Sequence, residues 1–196
     1  MQRKVGLHTV FIFMGLIIAP LAEAHPVTAQ TLGLIPGIVH PFTGVDHILA
    51  AIAAGLWGAV LGGAQGRSVS IAFLGMLSLG AIAGLVGVSM PMVEPIIALS
   101  VITFGVLIAF RVPLSALVAS AVAGGFAFFH GHAHAAGLPE TTGSGWYLVG
   151  LLLATALLLG CGNVLGRRLV VSESRLPLRL TGGFFALIGS LLLVYA

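Results

Sequence analysis

The stretch MVEPIIALSVITFGVLIAF, residues 92–110, decides the fold class. Its one ionisable side chain, Glu94, lies near its start, and the remainder is apolar, small or hydroxyl-bearing. About 20 residues of this kind, wound into a helix that rises about 1.5 Å per residue, cover the ~30 Å hydrocarbon core of a bilayer. The stretch therefore predicts a transmembrane helix.

The rest of the chain has the same character. Of its 196 residues, 59% are hydrophobic and 7% are charged, whereas soluble domains average about 25% charged residues. The mean hydropathy is +1.17, and the 28 glycines suit helices that pack closely in a bilayer. The pairs Gly58/Gly62 and Gly80/Gly84 have GxxxG spacing and indicate helix contacts. This composition excludes an ordinary soluble domain.

Five further apolar segments bring the predicted number of spans to six. Short loops join them, so we predict an all-α membrane bundle, with residues 25–196 forming a single six-helix transmembrane domain. We expect the lipid bilayer to surround this bundle. The sequence leaves open whether the protein forms a homo-oligomer. The predicted spans are Pro41–Leu61, Val69–Val88, Met92–Phe110, Pro113–His134, Trp146–Leu165 and Leu180–Tyr195.

Residues 1–24 have the three parts of a secretory signal peptide. Arg3 and Lys4 precede the apolar stretch Val10–Ile18, and the segment ends with the small residues of Ala22-Glu23-Ala24. Cleavage there leaves a mature chain that begins at His25. We therefore expect a multi-pass protein of the bacterial inner membrane with a periplasmic N-terminus.

The basic residues predict the same orientation. Every Lys or Arg beyond the signal peptide falls in loops on one predicted side, as the positive-inside rule requires of the cytoplasmic side. This placement also explains why basic residues outnumber acidic residues in the chain, so we predict no nucleic-acid partner. The residues are Arg67, Arg111, Arg167, Arg168, Arg175 and Arg179.

Ionisable residues within the spans gather on the opposite side. Such residues cost a few kcal/mol in a bilayer and usually mark pathways or ligand sites. Imidazole nitrogen suits nickel, cobalt, copper, zinc and iron, while a carboxylate compensates charge without the tight grip of several thiolates. The pattern predicts reversible binding of a divalent transition metal. The candidate residues are His40, Asp46, His47, Glu94, His130, His132 and His134.

The spacing of the histidines indicates a site between two spans. In HPFTGVDH, His40 and His47 are seven residues apart, two turns on one helix face, so they need a bend near Gly44 or ligands from elsewhere. In FHGHAH, His130 and His134 share a face, as in helical zinc motifs, while the intervening histidine points away. We therefore expect the first and fourth spans to form the site.

Other polar and aromatic residues receive simpler interpretations. His132 and Glu94 are expected close to water, and Glu140 and His25 in solvated segments. The aromatic residues Trp57, Trp146, Tyr147 and Tyr195 are interpreted as anchors at the membrane interface.

The residues alone leave three functions open. A metal permease would need an inner exit built from backbone carbonyls, Ser78, Thr103 or Cys161. A zinc-dependent membrane hydrolase would hold zinc through His and Asp and keep a position open for water. A bis-histidine haem protein would present axial ligands from two helices.

The segments HPFTGVDHILAAIAAGLWGA (residues 40–59) and FHGHAH (residues 129–134) resemble the two signature motifs of the HupE/UreJ family. Proteins of that family are membrane proteins associated with hydrogenase and urease maturation and regarded as nickel or cobalt permeases. The resemblance implies a permease rather than an enzyme, with no permanently bound cofactor and with Ni²⁺ or Co²⁺ as the transported ion. It implies metal handling by His40, Asp46, His47, His130 and His134.

The chain departs from the family pattern after the second motif. The family commonly continues there with glycine and a nearby glutamate, but this chain continues with Ala135, Ala136 and Gly137, and Glu140 comes late. The resemblance therefore assigns no role to Glu140.

Overall fold

The computed structural model of the chain describes residues 32–138 and 141–196. The predicted signal peptide, His25 and Glu140 lie outside these residues. Their assignments stay predictions.

Within the described residues the chain is all α-helical, which confirms the predicted fold class. Helices α3 to α7 are each long and apolar enough to cross a membrane, and the segments 34–42 and 45–61 form a pair bent by 85° that supplies a sixth candidate span. The helices are α1 (Leu34–Val39), α2 (Val45–Leu61), α3 (Gly63–Leu85), α4 (Val93–Phe110), α5 (Ala116–Ala135), α6 (Thr142–Val170) and α7 (Leu176–Tyr195), with a 3-10 turn at His40–Phe42 between α1 and α2.

The first span is bent at Gly44 and begins at Leu34, before the predicted start at Pro41. Gly44 has an extended backbone, with φ −103° and ψ 119°, and caps α2. A Cβ at this position would lie 2.8 Å from Asp46 Oδ1 and 2.9 Å from His47 Nδ1. The bend anticipated near Gly44 is present, and glycine leaves the room that this side-chain pair needs.

Several helices are longer than predicted at the end that carries the arginines. Helix α3 begins at Gly63 and includes Arg67, while α6 continues to Val170 and includes Arg167 and Arg168. Hydropathy marks only the part of a helix that suits hydrocarbon, and a helix continues into polar surroundings when its backbone hydrogen bonds do. We call this end of the bundle the arginine end.

The helices pack as three pairs, α3 with α5, α4 with α7, and α2 with α6. Between α3 and α5, a Cβ on Gly80 would lie 1.9 Å from the Phe128 carbonyl oxygen, and one on Gly131 would lie 1.9 Å from the Leu77 carbonyl oxygen. Only glycine permits such close backbones. Gly80 and Gly84 both lie against α5, whereas of the other pair Gly58 lies against Gly66 and Gly62, with φ +69°, ends α2 without a close neighbour.

Helix α2 lies at the centre of the bundle, because every residue from Leu49 to Gly58 is buried. The interpretation of Trp57 and Tyr147 as interface anchors was wrong, since both side chains are fully buried. A helix that is apolar all round is typical of such a central position. Trp146 and Tyr195 are 57% and 86% exposed, as interface anchors need to be.

Candidate metal site

The two histidine motifs come together at the end of the bundle opposite the arginines. The 3-10 turn carries His40, the first turn of α2 carries His47, and the last turns of α5 carry His130 and His134. Ring centroids are 4.9 Å apart for His40 and His134, 4.1 Å for His47 and His134, and 5.1 Å for His47 and His130. We call these four side chains the histidine cluster and this end the histidine end.

The bend before α2 explains how one cluster includes both His40 and His47. On a straight helix these side chains would lie two turns apart. The chain instead turns by 85° between the 3-10 turn and α2, and His134 contacts both rings. The histidines therefore form a continuous series in the order His40, His134, His47, His130.

The inner histidines of the cluster are shielded from solvent, while His40 is half-buried. His130 is 2% exposed and His134 is 6% exposed, while the side chains of His47 and Asp46 retain 14% and 21%. Tyr147 on α6 packs beside His40 at 5.7 Å between ring centroids, and its hydroxyl donates to the His134 carbonyl oxygen at 3.4 Å. Tyr147 therefore supports the outer part of the cluster, a role that sequence reasoning missed.

Asp46 orients His47. The His47 Nδ1 to Asp46 Oδ1 distance is 2.8 Å, and because a carboxylate oxygen only accepts, Nδ1 carries the proton and donates. Nε2 then keeps its lone pair, and in the described part of the chain that buried atom has no hydrogen-bond partner. Histidines that ligate metals commonly donate their other ring N–H to a carboxylate in this way. The geometry makes Asp46 a support for His47 and leaves Nε2 available to an ion.

A small cavity lies beside the cluster. Its volume of about 10 Å³ has room for about one water molecule or one ion of similar size. Thr155 of α6 lines the cavity and is 3% exposed, and its hydroxyl donates to the Leu151 carbonyl oxygen of its own helix at 2.8 Å. The lining residues are Pro41, His47, Ala51, Phe73, Leu77, His130, His134, Thr155 and Leu158.

The polar residues considered for an inner exit do not line this cavity. The hydroxyls of Ser78 and Thr103 donate to carbonyls of their own helices, those of Leu74 and Leu99. Cys161 is exposed on the surface of the bundle. Thr155 is the hydroxyl-bearing residue that reaches the cavity, and a single threonine in an apolar helix gives no sequence signal for that position.

His132 and Glu94 do not join the cluster. His132 Nε2 donates to the Val88 carbonyl oxygen at 2.6 Å and so connects α5 to the loop between α3 and α4. The expectation that His132 lies close to water was wrong, because the residue is 5% exposed. Glu94 is exposed in the first turn of α4, as expected.

The cluster as it stands does not form a completed coordination shell. Among residues 32–138 and 141–196, no three His, Cys, Asp or Glu side chains are arranged so that they could hold one ion. The imidazoles instead meet edge to face or tilted, at interplanar angles between 52° and 90°. An ion would therefore bind here together with rotation of the rings.

Comparison with known proteins places the chain in a family. The family model described as HupE / UreJ protein matches residues 12–192. The chain belongs to the HupE/UreJ family. It is also 39% identical over 179 residues to "Protein HupE" of Rhizobium leguminosarum bv. viciae, which covers 91% of this chain and 93% of that protein. No solved structure matches the chain. The family resemblance of the two motifs is thereby confirmed.

Proposed function

We propose that this HupE/UreJ family member is a secondary permease that takes up Ni²⁺ or Co²⁺ across the bacterial inner membrane, and that it supplies hydrogenase or urease maturation. The observation that carries the proposal is the histidine cluster: four imidazoles from two distant motifs meet at one end of an apolar helical bundle. Histidines inside a membrane bundle are costly, and they are typical of ion pathways.

The donor set suits a transported ion better than a permanently bound one. Neutral imidazoles bind nickel and cobalt well, and no thiolate takes part, since Cys161 is exposed elsewhere. The carboxylate of Asp46 supplies negative charge close to the ion through its hydrogen bond with His47. Such a site permits both capture and release.

The order of the rings gives a route inward. An ion captured by His40 and His134 can pass to His47 and then to His130. The centroids of neighbouring rings in this series are only 4.1, 4.9 and 5.1 Å apart. Each transfer keeps one imidazole on the ion while the next one binds. The ion is therefore never stripped of all protein ligands in a medium that cannot solvate it.

The histidine end would face the periplasm in this proposal, in agreement with the basic residues at the opposite end. Below the cavity, Trp57 packs against Phe104 at 5.6 Å between ring centroids, and Phe104 packs against Phe126 at 5.7 Å. In the proposal, this aromatic layer closes the path through the inner half of the bundle. Uptake then requires the layer to open after the ion has been captured, as in secondary transporters.

Uptake in cells tests the proposal. Cells that lack their own nickel and cobalt importers would express the protein or the His47→Ala variant, and accumulation of radioactive Ni²⁺ and Co²⁺ would be measured at equal membrane abundance. We expect accumulation with the protein and the level of the empty vector with the variant. If the unchanged protein accumulates neither metal above the vector, the proposal fails.

A further inference from the structure

Ser100 lies in the middle of α4 and contacts the innermost histidine of the cluster. Its side chain is fully buried. Its Oγ lies 2.6 Å from the Ile97 carbonyl oxygen and 3.0 Å from His130 Nε2. Helix α4 thus reaches the site through a serine, and this residue has no part in either histidine motif.

The hydrogen bonds of Ser100 determine where His130 carries its proton. A serine hydroxyl has one proton to donate, and the carbonyl oxygen of Ile97, which can only accept, makes the shorter contact. The hydroxyl therefore donates to Ile97, and its oxygen accepts from His130. It follows that His130 is protonated on Nε2 and keeps its lone pair on Nδ1.

We propose that Ser100 is a positioning residue that holds His130 in its Nε2-protonated form, so that Nδ1 is presented to the transported cation. This inference rests on the proposed permease function. It makes the two inner histidines complementary: Asp46 accepts the Nδ1 proton of His47 and leaves Nε2 free to ligate, while Ser100 accepts the Nε2 proton of His130 and leaves Nδ1.

The burial of the pair makes Ser100 hard to replace. His130 is 2% exposed, so solvent offers little alternative acceptor for its N–H, and the other ring edges near it come from His47 and from the apolar Phe73. Without the serine oxygen, His130 would move its proton to the other nitrogen or turn its ring. Either change would remove the unprotonated Nδ1 of His130 from the position at which it could bind the cation.

Two serine variants separate positioning from simple packing. Ser100→Ala removes the acceptor with little change in volume. Ser190→Ala on α7 is the control, because the exposed Ser190 hydroxyl also donates to a carbonyl of its own helix, that of Ala186 at 2.8 Å. Loss of a supporting hydrogen bond to a metal-ligating histidine typically weakens metal binding by about 10- to 100-fold. We expect that loss in Ser100→Ala and unchanged affinity in Ser190→Ala, measured by titrating purified protein with Co²⁺ and Ni²⁺.

Nitrogen-15 NMR of the metal-free protein labelled in its histidines gives a readout that packing alone would not move. The resonances of His130 are assigned by their loss in His130→Gln. We expect the proton on Nε2 in the unchanged protein, and a shifted proton equilibrium in Ser100→Ala but not in Ser190→Ala. A proton on Nδ1 in the unchanged protein would overturn the inference.

The outcomes distinguish this inference from the proposed function. If the unchanged protein binds neither Co²⁺ nor Ni²⁺, the permease proposal fails and the role of Ser100 fails with it. If the unchanged protein binds metal and Ser100→Ala binds it equally well, the role of Ser100 alone is wrong.

Discussion

The two halves of the bundle core are built from the same helices and have opposite chemistry. Helices α2, α4 and α5 each contribute one residue to a polar layer at the histidine end and one residue to an aromatic layer nearer the arginine end. The polar layer is His47, Ser100 and His130, and the aromatic layer is Trp57, Phe104 and Phe126.

The difference shows how such a bundle can bind an ion and still seal the membrane. In the polar layer, His47 donates a hydrogen bond to Asp46 and His130 donates one to Ser100, and these bonds orient the two histidines. In the aromatic layer the rings pack on one another, and Trp57 Nε1 is buried without a hydrogen-bond partner in the described residues. The polar layer is thus organised for a cation, and the aromatic layer excludes one.

The largest effect on uptake is expected at His134, because this ring contacts both His40 and His47 and joins the two motifs. His134→Ala should reduce accumulation of Ni²⁺ and Co²⁺ to the level of the empty vector. His132→Gln is the control, since the Gln amide nitrogen can occupy the position of Nε2 and still donate to the Val88 carbonyl, and the side chain lies outside the cluster. Equal loss in both variants would mean that the cluster is not the site.

The contact between α3 and α5 should control stability, because α5 carries two of the four histidines. Gly80→Ala places a Cβ 1.9 Å from the Phe128 carbonyl oxygen, and overpacking of this kind typically costs about 1–3 kcal/mol. Gly75→Ala on the same helix meets nothing within 4 Å and should be neutral or stabilising by up to about 1 kcal/mol. Thermal unfolding in detergent measures both, and equal melting temperatures would contradict the packing described here.

The substitution Asp46→Asn tests whether Asp46 supports the ion or ligates it. The amide oxygen can still accept from His47 Nδ1, so we expect metal affinity to fall by only about tenfold, the lower limit for a supporting residue. Titration with Co²⁺ compares this variant with His47→Ala. A loss in Asp46→Asn as complete as that in His47→Ala would make Asp46 a direct ligand.

The smallest effect is expected from Trp57→Phe in the aromatic layer. The change keeps a ring against Phe104 and removes a buried N–H that has no partner among the described residues. Co²⁺ affinity should stay within about twofold, a change of less than roughly 0.5 kcal/mol by the usual relation of affinity to free energy. A larger loss of affinity would show that the two layers do not act separately.

The fold class and the candidate cluster could be predicted from the sequence because each leaves a local signal. Apolar runs near the length of a bilayer crossing indicate helices, and histidines in such runs are conspicuous because they are costly there. The bend before α2 could be anticipated at Gly44, since His40 and His47 cannot meet on a straight helix.

Other features depend on which helices become neighbours, and a single sequence does not contain that information. Ser100 contacts His130 and Thr155 lines the cavity, but nothing local distinguishes these hydroxyl-bearing residues from Ser78 or Thr103, whose hydroxyls donate to carbonyls of their own helices. The burial of Trp57 likewise follows from the central position of α2 in the bundle.

X-ray absorption at the nickel edge tests the central claim most directly, because it reports the atoms bound to the ion. Purified protein loaded with one equivalent of Ni²⁺ would be compared with His47→Ala loaded in the same way. We predict imidazole scattering from several histidines in the unchanged protein and a clear loss of that scattering in the variant. A shell of oxygen atoms alone, identical in both proteins, would contradict metal capture by the histidine cluster.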